Sequence, residues 1–137
     1  MPHTPLTTNK QKEDAAIAWV ICYEKDKHGR TARDTRGKGP TDIDSPPLLI
    51  EVKAYGKSAR GQDVWLEPPQ YLVACTNPNF RLYIVENVEQ GDPALFTLRS
   101  VEGERLAKMV QRAKKKSYYL LPWSTTSHDE TVPERLP

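Results

Sequence analysis

The chain has 137 residues, 37% of them hydrophobic and 28% charged, and a formal net charge of +2. This length fits one domain with its own core, and the chain has neither an apolar run near the roughly 20 residues that span a membrane nor the apolar stretch of a signal peptide. Because two cysteines are too few for a disulfide scaffold or a four-cysteine zinc site, we expect a single cytoplasmic domain without membrane contact.

The first half of the chain predicts one long helix and two strands. Residues 1–8 are rich in proline and threonine and are expected to form a flexible leader. A helix is predicted from Asn9, as a possible cap, to a glycine stop at Gly29, because apolar side chains recur at helical spacing. Residues 41–47 predict a brief strand followed by a proline turn, and residues 48–55 form the clearest strand of the sequence.

The second half predicts shorter elements, which together define the fold class. We expect a short strand at 63–66, then a helix at 70–75 that Pro68-Pro69 opens, and then strands at 80–88 and 94–99. An amphipathic helix at 102–116, an apolar strand or docking segment at 118–123 and a disordered tail at 124–137 follow. This order predicts an α/β (α+β) fold, a small mixed sheet flanked by helices, with one domain over residues 9–123.

One segment combines the residue types of a metal-dependent active site. Glu51 and Lys53 occupy alternate positions of the clearest strand, so both point to one face while Val52 points into the core. The proline turn folds the preceding segment back beside this strand, which can place Asp42 or Asp44 next to Glu51. The pattern alone does not choose between these aspartates, because both lie on the same face of their strand.

Two carboxylates and a lysine at a sheet edge suit a magnesium-dependent phosphodiesterase. Mg²⁺ takes hard oxygen ligands, usually one or two carboxylates with waters and substrate phosphate. It lowers the pKa of bound water and neutralises charge on the phosphate, while a lysine can orient the attacking water. We therefore expect Mg²⁺, with Mn²⁺ as a possible substitute, and the backbone carbonyl of Val52 as a further ligand.

This arrangement resembles the PD-(D/E)XK nuclease superfamily, whose signature is an Asp followed by Glu-x-Lys on the next strand. Over roughly residues 13–98 the chain is similar to the Mrr-like domain at the C-terminus of the plant NO VEIN protein, which also occurs in bacterial restriction and phage-defence proteins. The matching segments are Pro-Thr-Asp-Ile-Asp-Ser, Ile-Glu-Val-Lys, Val-Trp-Leu-Glu-Pro-Pro-Gln-Tyr and Phe-Arg-Leu-Tyr-Ile-Val-Glu-Asn-Val. The resemblance implies a restriction-endonuclease-like core.

The resemblance also implies roles for individual residues. It favours Asp42 with Glu51 as the metal ligands and Lys53 as the group that positions water. Glu13 matches an accessory acid on the first helix of related nucleases. Gln70 matches the Gln of a Gln-x-x-x-Tyr element in Mrr-like nucleases, although the Tyr position is Ala74 here.

Two basic zones indicate an anionic partner, with nucleic acid the first candidate. In the first zone, six residues in loops near the site are predicted to hold the DNA backbone without reading its sequence. They are Arg30, Arg33, Arg36, Lys38, Lys57 and Arg60. The second zone, residues 104–116, has a solvated helix face as its alternative interpretation.

We expect a Mg²⁺-dependent DNA endonuclease of restriction, phage defence or DNA processing, with a homodimer mate or a larger defence complex supplying specificity. The first alternative is a nuclease-fold module with weak or no catalysis that binds nucleic acid or a defence partner. Pro40-Thr41 and Pro68-Pro69, which depart from the family pattern, allow this. The second alternative is a Holliday-junction resolvase-like enzyme, which resembles this chain in length and in its first-helix acid.

Overall fold

The structure is a computed structural model that describes residues 3–117, 119 and 121–135. Its strands are β1 (Arg33–Asp34), β2 (Ile43–Ser45), β3 (Leu48–Ala54), β4 (Phe80–Glu86) and β5 (Thr97–Val101). Its helices are α1 (Asn9–His28), α2 (Pro68–Thr76), α3 (Gly103–Gln111) and α4 (Thr125–Asp129), with a 3-10 turn at Pro93–Leu95. The predicted class, a mixed sheet flanked by helices, is confirmed. Among these helices, none has the length and apolar character needed to cross a membrane.

The five strands form one sheet in chain order, from β1 at one edge to β5 at the other. Neighbouring strands are antiparallel except β3 and β4, which pair in parallel. A parallel pair needs a crossover connection, and the segment containing α2 supplies it. In the parallel register Glu51 lies opposite Leu82 and Lys53 lies opposite Ile84.

Apolar side chains form a cluster on each face of the sheet. On one face α1 packs Ala16, Ile17 and Val20 against a cluster that includes Ile43, Ile50, Val52 and Val85. The other cluster contains Phe80, Leu82, Ile84, Val101 and Leu106 of α3, with Val73 and Ala74 of α2 packed against it. Because strand residues alternate between faces, Val52 points towards α1 as predicted, and Glu51 and Lys53 share the face covered by α2 and α3.

A buried carboxylate, Glu24, ties α1 to the sheet. Its side chain is fully buried, and its oxygens accept hydrogen bonds from Arg30 at 2.8 and 3.1 Å, from the Ser45 hydroxyl at 2.8 Å and from the Tyr83 hydroxyl at 3.0 Å. Burial alone would raise the pKa of Glu24, but these hydrogen bonds outweigh burial and lower that pKa. The network therefore holds an ionised carboxylate between α1, β2 and β4.

The N-terminal region differs from prediction in its cap and its leader. The side chain of Thr8, not Asn9, caps α1 by accepting a hydrogen bond from the Gln11 backbone N–H at 3.1 Å. The helix ends as predicted at Gly29, which adopts the left-handed conformation (φ 68°). Leu6, in the expected leader, donates its N–H to the Glu89 carbonyl at 2.8 Å and packs against the α1 cluster.

One predicted strand does not exist, and another begins later than predicted. Residues 63–66 form no strand: they lie in the connection from β3 to α2, where Val64 packs against the cluster of Phe80 and Leu82 and the Asp63 carbonyl accepts the Tyr55 hydroxyl at 3.0 Å. β5 begins at Thr97 rather than Ala94, because the Asp92 side chain caps the 3-10 turn that precedes it.

The C-terminal region also differs from prediction. α3 ends at Gln111, because Val110 is its last residue against the core and the lysines that follow gain no burial to offset the entropy of helix formation. Of the predicted apolar segment, residues 118 and 120 lie outside the described residues, and the others form no strand. In the tail expected to be disordered, Ser124 caps a short helix, α4.

Candidate functional site

The candidate site lies where β2 separates from β3. The two strands pair only from Ile43 onwards, so the Val52 backbone N–H donates instead to the carboxylate of Asp42 (Oδ2), at 2.9 Å. The Thr35 backbone N–H donates to the Asp42 carbonyl at 2.8 Å. Asp42 is therefore held at both its main chain and its side chain, next to the position of Glu51 on β3.

Glu51 is a buried carboxyl group, and one of its oxygens receives no hydrogen bond from a donor group. Its side chain is 2% exposed, and Oε2 lies 3.3 Å from Lys53 Nζ. Oε1 is also buried and has no hydrogen-bond partner in the described part of the chain. Buried polar atoms are nearly always paired, because leaving one unpaired costs free energy. This oxygen therefore lacks a partner when both Glu51 and Asp42 are ionised, because the two carboxyl groups can hydrogen-bond to each other only if one of them is protonated.

The two carboxyl groups disfavour each other's ionisation. Burial, followed by the charge of Asp42, raises the pKa of Glu51 to about 7 against the opposing effect of Lys53. Burial also raises the pKa of Asp42, although the Val52 N–H and the charge of Lys53 oppose that shift. Two adjacent carboxyl groups with raised pKa values either share a proton or need a cation between them.

A divalent cation fits this pair of carboxylates. Oε1 of Glu51 and the carboxylate of Asp42 are hard oxygen donors of the kind that Mg²⁺ prefers. Within the described ranges, no three His, Cys, Asp or Glu side chains form a cluster of their own. A cation here would therefore need water or substrate oxygens to complete its coordination, and a ligand role for the Val52 carbonyl stays a prediction.

The structure separates the two aspartates that the sequence left open. Asp44 lies on β2 opposite Leu49, and its carboxylate is bound by Arg33 at 2.8 Å. Asp42, in contrast, lies close enough to Glu51 to raise its pKa. The structure therefore favours Asp42 as the second carboxylate of the site, in agreement with the family resemblance.

The two accessory candidates have different positions. Glu13 on α1 is half exposed, 3.7 Å from Arg36, and its charge contributes to the raised pKa of Asp42, so it borders the site. Gln70 caps α2 instead, since its Oε1 accepts the Glu67 N–H at 2.9 Å. No hydrogen bond within the described residues joins Gln70 to the site.

Three of the six predicted phosphate contacts are already occupied by carboxylates. The pairs are Arg30 with Glu24, Arg33 with Asp44, and Arg36 with Asp14 and Asp34. These contacts reduce the charge available to a phosphate. Lys38, Lys57 and Arg60 are exposed and have no ion pair in the described part of the chain.

Sequence reasoning missed Glu86, which holds the loop after β3. Its buried carboxylate accepts hydrogen bonds from the Ala59 backbone N–H at 2.7 Å and the Ser58 hydroxyl at 3.4 Å, and it forms an ion pair with Arg99. This loop carries Lys57 and Arg60. The sequence did contain a signal for this role. Glu86 follows Phe80, Leu82 and Ile84 at alternate positions of β4, and an acid in that position is predicted to point towards the same buried face.

The fold and the site define an α+β domain with two carboxylates and a lysine gathered beside its central strand. The chain matches the family described as "Protein NO VEIN, C-terminal" over residues 12–98, and it belongs to that family. The match covers Asp42, Glu51 and Lys53. It confirms the resemblance to the NO VEIN C-terminal domain, whereas the PD-(D/E)XK character of the site stays a prediction. No curated protein and no solved structure matches the chain.

Proposed function

We propose that this domain is a metal-dependent nuclease that hydrolyses DNA phosphodiester bonds. The observation that carries the proposal is the buried, unpaired Oε1 of Glu51 beside Asp42, with Lys53 at 3.3 Å from the other oxygen. A purely structural ion pair would be expected to satisfy both oxygens. The resemblance to PD-(D/E)XK nucleases supports the same reading and favours a role in restriction, phage defence or DNA processing in the cytoplasm.

The residues of the site have two roles in this proposal: the carboxylates bind a cation, and the lysine positions water. Asp42 and Glu51 would hold Mg²⁺ or Mn²⁺, which when bound would lower the pKa of water and neutralise phosphate charge. Lys53 keeps part of its side chain exposed and stays within reach of Glu51. Its ammonium group can therefore orient a water molecule and counter charge on a phosphate oxygen. Burial around Glu51 strengthens these electrostatic effects.

The test is plasmid cleavage with Mg²⁺ or Mn²⁺ by wild type, Lys53→Ala and Glu51→Gln. We expect metal-dependent cleavage that either substitution reduces by roughly a hundredfold or more. Lys27→Ala, in the exposed last turn of α1, is the control and should retain full activity. Cleavage that persists in both site variants would contradict the proposal.

A second measurement separates metal binding from catalysis. Mn²⁺ should raise the melting temperature of the wild type, because a ligand that binds only the folded state stabilises it. Glu51→Gln should remove most of this increase.

The side chain of Gln70 caps α2 through the Glu67 N–H and forms no hydrogen bond with the site among the described residues. Because one predicted active-site residue is thus engaged elsewhere, this observation favours the alternative of a module that binds DNA without cutting it. DNA binding without cleavage by the wild type would support that alternative.

A further inference from the structure

The basic face of α3 lies on the same side of the sheet as the site. We define the α3 basic face as three exposed cations at helical spacing and the lysine run after the helix: Arg105, Lys108, Arg112, Lys114, Lys115 and Lys116. The first three span about 10 Å along one side of the helix. They line an open depression with Glu104 and Met109.

These cations have no carboxylate partner among the described residues, since the ion pairs of the structure involve other basic side chains. This distinguishes the α3 basic face from the segment 30–36, whose arginines are paired. The charges of α3 also do not neutralise one another within the helix, because Glu104 forms no ion pair with Lys108. α3 and its C-terminal extension therefore carry a run of six exposed cations without a carboxylate partner in the described part of the chain.

The packing of α3 fixes the relation between this face and the site. Leu106 packs on the sheet cluster that includes Leu82, and Leu82 lies opposite Glu51 in the parallel register. Leu82 also pairs with Val101 of β5, two residues before α3 begins. Val101 therefore lies two strand spacings, roughly 10 Å, from Glu51 across the sheet. The loop that carries Lys57 and Arg60 packs Ala59 against the same cluster.

We propose that the backbone of duplex DNA binds across the α3 basic face and the loop 57–60 on its way to the site. The inference rests on the proposed nuclease function for its substrate, and it replaces Arg30, Arg33 and Arg36 as the main phosphate contacts. Six closely spaced Lys and Arg side chains suit contact with successive phosphates of the DNA backbone. Such contacts give affinity without reading the base sequence.

The test is the affinity of Lys108→Gln/Arg112→Gln for a fluorescent DNA duplex, measured by anisotropy in EDTA over a range of salt concentrations. Loss of two phosphate contacts should weaken binding by roughly tenfold or more near 0.1 M salt and reduce the log–log salt slope by about 2. Lys25→Gln/Lys27→Gln is the matched control, because it removes the same charge from two exposed positions of α1, which packs on the opposite face of the sheet. The control should change affinity by less than about twofold.

The outcomes separate this inference from the proposed function. Equal effects of the two variants, no effect of the α3 variant, or no DNA binding by the wild type would overturn the α3 surface. Wild-type protein that binds with the expected pattern but never cleaves would support the surface and contradict the nuclease. Cleavage and binding that are both unchanged in the α3 variant would leave the nuclease standing and reject the surface.

Discussion

Glu51 occupies a position that costs the metal-free protein stability. Lys53 compensates one carboxylate oxygen, but the other is buried without a partner, and Asp42 adds repulsion. Burying a charge in this way is unfavourable unless its partners are complete. Such costs are concentrated at functional sites, where the geometry serves a ligand rather than the fold.

We expect Glu51→Gln to stabilise the metal-free protein at alkaline pH. The pKa of Glu51 is raised from 4.5 to about 7, so the folded protein holds this proton more tightly than the unfolded chain. Folding stability is therefore lost as the pH rises from 4.5 to 7 and stays lower above that range. The amide avoids this loss, which is on the order of 3 kcal/mol.

Urea unfolding in EDTA at about pH 5 and about pH 8 checks this expectation. The difference between Glu51→Gln and wild type should be large at the higher pH and small at the lower one. Glu104→Gln, on the exposed side of α3, serves as the control and should show no such dependence. A variant that is less stable than wild type at the higher pH would mean that the carboxylate is satisfied without metal.

Sequence reasoning could predict the shared face of Glu51 and Lys53, because strand alternation is a local property. It could not choose between Asp42 and Asp44 without the family resemblance, since the choice depends on where β2 stops pairing with β3. Nor could it predict the burial of Glu51. That burial depends on tertiary packing, because the face of the sheet that carries Glu51 is covered by segments from later in the chain, including Val64, Val73 and Leu106.

Among the elements, the loop after β3 is held by backbone hydrogen bonds at its base and by the side chain of Glu86 further along. The buried carboxylate of Glu86 accepts the Ala59 backbone N–H, the largest cause of its lowered pKa, and pairs with Arg99. Backbone bonds from Asn87 to the Lys57 carbonyl and from Glu89 to the Gly56 carbonyl hold the same segment. The loop is therefore anchored at its base and by one charge-assisted contact near its tip.

We expect Glu86→Gln to loosen residues 57–60 while the sheet persists. The neutral amide accepts the Ala59 N–H less strongly and loses the attraction to Arg99, at a cost of about 1–2 kcal/mol. Hydrogen exchange should show faster exchange at Ala59 and unchanged exchange in β4. Arg99→Gln, which changes only the exposed partner, should have a smaller effect, and equal exchange rates in all three proteins would contradict the anchor.

Helices and strands that have a clear hydrophobic pattern in their own sequence could be predicted. Those whose extent depends on tertiary contacts could not. α1, β3 and β4 carry long periodic patterns, and the structure confirms them. The predicted strand at 63–66 had β propensity, but this segment packs Val64 against the cluster of Phe80 and Leu82 and pairs with no strand of the sheet. α3 is shorter than its charge-rich sequence suggests, because the periodic pattern does not reveal where core contact ends.

At the scale of the whole molecule, the described residues contain one candidate site on one sheet. If the proposed function is correct, one chain can hydrolyse one strand in a single encounter, because the second strand of a duplex needs a second site. Two copies related by a twofold axis would supply it, since such dimers present identical sites with opposite strand polarity. The order in which cleavage products form therefore reports how many copies act together.

We expect the first product from supercoiled plasmid to be the nicked circle, with linear DNA formed from it later. Mixing wild type with an equal amount of Lys53→Ala, at constant total protein, distinguishes independent chains from cooperating ones. Independent chains should nick at about half the wild-type rate, because each active copy works unaided. Direct formation of linear DNA, reduced to about a quarter in the mixture, would show instead that a dimer with two intact sites is the active species.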